Sequence, residues 1–126
     1  MSVKRVERAA PRVSDGLSAE PVVLDDEVEI ESTVITGDHS GVDVSLVQID
    51  ACRINRALFI GSAFHQARLT DCIVEASDLS GVVLEDCDLV RVEFRDCRIS
   101  GLQANGSRFR DVAFLRCKLD EVAPVF

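Results

Sequence analysis

Residues 77–101 read Ser77-Asp78-Leu79-Ser80-Gly81, Val82-Val83-Leu84-Glu85-Asp86, Cys87-Asp88-Leu89-Val90-Arg91, Val92-Glu93-Phe94-Arg95-Asp96 and Cys97-Arg98-Ile99-Ser100-Gly101. Each group of five opens on a small or apolar residue and carries a large apolar one two places later. Carried outward at the same stride, the second series runs from Val44, Ile49, Ile54 and Phe59 at every fifth position to Leu119, and fifteen of its sixteen members are large and apolar. The first series runs from Val42 to Cys117 and is small or apolar throughout. None of these 32 positions is charged, although 29% of the chain is, so the two lines describe an interior. Neither a helical period nor simple strand alternation produces them, which makes this an internal repeat. The one small member of the large series, Ala104, shares its pentad with Leu102, the one large aliphatic of the small series; the volume of that pentad is roughly kept.

Gly41, Gly61, Gly81 and Gly101 recur every twenty residues, as though one corner of a four-pentad coil needs a residue without Cβ. The pentads Ser77–Gly81 and Cys87–Arg91 resemble the unit of the pentapeptide repeat family, roughly Ala-(Asp/Asn)-Leu-x-x. The resemblance covers residues 42–121. In this chain Arg, Gln, Glu or an aliphatic residue mostly fills the Asp/Asn position, and Cys or Val often replaces Ala. The resemblance implies an all-β fold, a right-handed quadrilateral parallel β-helix of about four coils. At about 4.8 Å between stacked strands such a rod is ~20 Å long.

Outside the repeat the expectations are simpler. Residues 1–20 show no period and read as a disordered tail. In residues 21–41, Val28, Ile30, Val34 and Ile35 predict one or two strands that cap the solenoid. Residues 122–126 form the C-terminal end, where Pro124 stops the repeat. The net charge of −8 divides as −5 over residues 1–40 and −3 over residues 41–126, which places most of the acidity outside the repeat. An acidic chain disfavours direct nucleic-acid binding. No apolar run reaches membrane-span length and no leader is evident, so a cytoplasmic setting is expected, with the five cysteines reduced.

Nothing in the spacing assembles a catalytic, cofactor or metal site, and an enzyme is not expected. All five cysteines fall in the small series with no C-x₂-C pair, so they read as small buried hydrophobes. Cys52/Cys72 and Cys97/Cys117 stack one coil apart. Ser62, Ser77 and Ser107 read as wall residues; His39 is assigned to the cap and His65 to a coil surface. What remains is surface. The face centred on Val44, Phe64, Leu84 and Ala104 carries Asp43, Glu85 and Asp86 and no Lys or Arg, which makes these three the candidate interaction surface. Val125 and Phe126 are the candidates for self-association, a homodimer through a solenoid end. The expected function is a non-enzymatic scaffold that docks a protein partner. The family resemblance implies an alternative, a duplex-DNA mimic that binds DNA gyrase or topoisomerase IV and protects against quinolones.

Overall fold

The computed structural model describes residues 9–120, and in them every paired strand is parallel. One face stacks Asp43–Ser45, Ala63–His65 and Val83–Glu85, and a bridge from Val83 to Gln103 extends it. The next two faces are joined. Arg68–Glu75, Asp88–Arg95 and Arg108–Leu115 each run round the corner between them as one strand of 8 residues. The fourth face is held by the bridges Leu58 to Asp78 and Asp78 to Arg98, and by Arg98–Ser100 against Lys118–Asp120. From Asp43 onward partners lie twenty residues apart, as Leu69 with Leu89 and Phe94 with Phe114, while most pairs of the first coil lie nineteen apart. The solenoid built on the five-residue repeat is therefore borne out.

Its four corners differ. Three carry ordinary residues in the left-handed region, among them Gln66 (φ 54), Asp71 (φ 55) and Ala76 (φ 50). The glycine corner goes further, with φ between 68 and 74 at Gly41, Gly61, Gly81 and Gly101. Side chains tolerate αL at a modest cost that grows away from its centre, so the glycine column marks the corner where a side chain would cost most.

Both buried series sit where the repeat puts them. Ile54, Val74, Leu89 and Ile99 fill the axis, and Val47, Cys52, Ser62, Cys72 and Val92 line the walls, all nearly inaccessible. Ala104 and Leu102 are both buried, as the compensated pair requires. The large residues leave an apolar axial cavity of about 50 Å³.

The rod has about five turns, one more than the repeat count. The additional coil is residues 22–41, expected only as a cap. Glu29–Glu31 pairs with Gln48–Asp50, and Val34–Asp38 pairs with Arg53–Leu58. Its inward residues are Leu24, Ile30 and Ile35, all buried in the core, and His39, whose ring stacks on Phe59 at 5.4 Å. His39 thus holds the large-series place below Phe59, with Nε2 at 2.8 Å from the Thr36 carbonyl. Val22, Val28 and Thr33 fill the wall places two residues ahead of the first three. The intervals between Leu24, Ile30, Ile35, His39 and Val44 are six, five, four and five residues. A bulge between Ile35 and Gly37 absorbs the short interval.

Residues 9–20, which carry no repeat, lie along the outside. Ser18 bridges to Thr33 at the rod's first edge, and the Arg12 N–H donates to Asp71 Oδ1 at 3.1 Å. At the other end Phe109, Val112 and Phe114 are only partly covered and Leu119 is 49% exposed.

Candidate functional site

The interior carries no chemistry of its own. Cys72 donates its Sγ–H to the Ile49 carbonyl in the coil below and shares it with Thr70 O, both at 3.4 Å. Cys52, Cys87, Cys97 and Cys117 do the same to Ile30, Phe64, Val74 and Phe94. Ser62 and Ser107 replace the thiol by a hydroxyl, donating to His39 O at 2.8 Å and Leu84 O at 3.0 Å. The five cysteines, Ser62 and Ser107 are therefore the members of the wall series that satisfy carbonyls of the large series, which burial alone did not reveal. All five cysteines are free. Burial pushes the Cys72 thiol up to about 12 and Cys97 to about 11, the opposite of an activated nucleophile. At pH 8, iodoacetamide is expected to modify the half-buried Cys117 first in the folded protein and to spare Cys72 and Cys97; rapid labelling of Cys72 would show an open wall. Among the described residues no group of three or more His, Cys, Asp or Glu is arranged to hold a metal.

On the face without Lys or Arg the structure adds a residue to the candidate set. His65 pairs in register with Ser45 on one side and Glu85 on the other. Its Nε2 lies 2.9 Å from Asp43 Oδ1, and its Nδ1 lies 3.6 Å from Glu85 Oε2. Asp43 and Glu85 thus converge on one imidazole. Asp86 stands apart at a left-handed corner (φ 53), its carboxylate over Gly106, where a Cβ would collide with it. The twenty-residue interval from His65 to Glu85 is the signal that would have found this column. Val125 and Phe126 lie outside the described residues.

The remaining faces are ladders of opposite charge. Arg53 meets Glu75 at 2.8 Å, and Arg116 meets Asp96 at 2.8 Å. A more enclosed pair is Arg91 with Asp71, bidentate at 2.6 and 2.9 Å. The Arg91 guanidinium holds the Asp71 carboxyl below its ordinary range, helped by the Arg12 N–H. Residues 13–52 hold ten acidic side chains and no Lys or Arg, whereas residues 53–120 hold ten of each sign. The acidity assigned to a region outside the repeat therefore belongs largely to the first coil and a half of the rod.

Comparison with known proteins adds the family. A model described as a pentapeptide repeat region matches residues 47–123. No curated protein matches the chain. Among solved structures it is similar to a pentapeptide repeat protein, Rfr23, from the cyanobacterium Cyanothece 51142, with 8% identity over 78% of this chain and 88% of that one and a TM-score of 0.44. It is also similar to a trypsin-treated form of QnrB1, a plasmid-mediated fluoroquinolone resistance protein, with 22% identity over 80% of this chain and 54% of that one and a TM-score of 0.42.

Proposed function

This chain belongs to the pentapeptide repeat family, and we propose that it works as a non-enzymatic scaffold that docks a protein partner on its coil faces. The observation that carries this reading is the apolar and internally satisfied interior, which leaves columns of polar side chains one coil apart as the chemistry on offer. The column Asp43, His65 and Glu85 is the acidic face of the scaffold, suited to a partner segment with basic residues. A cytoplasmic setting, where buried thiols stay reduced, accords with this use.

Affinity capture from native lysate of the source cells tests it. Wild-type protein is expected to retain a defined protein at fixed stoichiometry, and Asp43→Lys with Glu85→Lys to lose it at an unchanged melting temperature. A rod that retains nothing from that lysate would count against a scaffold. The DNA-mimic reading draws support from one feature, the ten carboxylates of residues 13–52, a stretch without Lys or Arg. Inhibition of gyrase supercoiling that Asp25→Lys and Glu29→Lys relieve would favour it over the scaffold; no inhibition at high micromolar protein would remove it.

A further inference from the structure

Outward residues of a bare coil are wet, as Leu58 (40% exposed) and Ile60 (45%) are. Ile73 and Glu93 are not. Both point outward, because Cys72, Val74, Val92 and Phe94 beside them fill the interior, yet they are only 6% and 4% exposed. They stack in register on adjacent coils, beside the corner formed by Asp71, Arg91 and Asp111. That corner is where the N-terminal segment attaches. The Ala9 N–H donates to Asp111 Oδ1 at 3.3 Å and the Arg12 N–H to Asp71 Oδ1 at 3.1 Å, two carboxylates set two coils apart. Ser18 then bridges to Thr33 on the first coil. The segment crosses the coils from near the last to the first, with Pro11, Val13 and Leu17 as its half-buried residues. Asp71 is oriented for this contact by the bidentate grip of Arg91.

Among the described residues the attachment is sparse. One bridge replaces the continuous ladder that holds every coil, and the two carboxylate contacts are on exposed ground. Gly16, with φ 73 and nothing within 4 Å of an added Cβ, leaves slack between the corner and the bridge. Segments held by few apolar contacts and solvent-facing hydrogen bonds open well before the global fold.

We propose that the Ile73 corner is a docking site for an extended polypeptide, that residues 9–18 are its resident occupant, and that a partner segment of the same chemistry replaces them. That chemistry is an extended run with small or apolar residues on either side of a basic one and main-chain N–H groups free to meet Asp71 and Asp111. The proposal rests on the scaffold reading and gives it one face and one class of ligand.

Hydrogen exchange and peptide competition, followed by NMR on the full chain, test it. Ala9 and Arg12 amides are expected to exchange at least 100-fold faster than ladder amides such as those of Arg68 and Asp88. A synthetic peptide of residues 9–18, at millimolar concentration to match the effective concentration of a tethered segment, should move the Ala9 and Arg12 resonances to free positions while those of Ile73 and Glu93 stay at bound ones. Ile73→Lys should free the segment without peptide and abolish peptide binding, with the rod's melting temperature held within a few degrees; Asp71→Asn should do the same in part. Exchange of Ala9 and Arg12 at the ladder's rate would overturn the proposal by making the segment an integral strand. Rapid exchange without displacement by peptide would overturn it too. Either result leaves the capture experiment to judge the scaffold reading on the other faces.

Discussion

Leu89→Asp is expected to leave the chain unfolded at room temperature. Leu89 is almost fully buried on the axis, with Leu69 in the coil below and Phe109 in the coil above. Losing that side chain from the core costs about 1.5–3 kcal/mol in transfer alone. A carboxylate at the same place has no partner in an apolar cavity, which adds several kcal/mol unless it protonates. A domain of this size has roughly 5–15 kcal/mol in hand, so the sum exhausts most or all of it. Arg91→Ala, two residues along the same strand, is the control. From sequence alone it should barely matter; the structure shows it releasing Asp71, and with it the hold on Arg12. An ion pair at the surface contributes on the order of 1 kcal/mol to the fold, well short of the Leu89 loss. Thermal melts by circular dichroism separate the two, and equal melting temperatures would mean the inward register is wrong.

Phe94→Ala should cost the second most. The Phe94 ring lies flat on Phe114, with centroids 4.9 Å apart and planes 8° apart, and it is the buried member of the pair. Truncating a buried Phe typically costs about 3–5 kcal/mol, which for a domain near this size lowers the melting temperature by on the order of 10–20 °C. The loss falls on the end of the rod, since Phe114 and Phe109 would face a void where a close-packed coil had been. Phe114→Ala removes a ring already half open to solvent and should cost clearly less. Equal losses in the two variants would show that the last coil is as tightly covered as the middle ones.

The interior was legible because its signal has a fixed stride. Leu69, Leu89 and Phe109 fall twenty residues apart, and each lands on the residue above it. The first coil was not legible because the stride breaks on both sides of Ile30 and Ile35: six residues separate Leu24 from Ile30, and only four separate Ile35 from His39. A histidine in a large-series place hid it further, since composition gives no sign that the ring will stack on Phe59. Asp43 and Glu85 are legible from the absence of Lys and Arg on their face, while His65 between them is not, because its partners lie one coil away and not beside it in sequence. The placement of residues 9–18 was beyond reach for a different reason. Ala9 meets Asp111 across 102 positions of sequence, and no period links a segment without repeats to a corner of the rod.

The first coil also shows what the fold conserves. An interval lengthened by one residue and another shortened by one return the chain to register at Val44, because corners and a bulge take up the difference. The perimeter is the constant quantity along this rod, and the pentad is only the usual way of dividing it. Offsetting single-residue insertions and deletions can therefore drift into such a protein at its corners, and whole circuits of twenty can be gained or lost, without any coil losing its neighbour. An uncompensated change of one residue in the middle of the rod would instead leave one coil with a perimeter unlike its neighbours', and a bulge would have to take it up, as between Ile35 and Gly37.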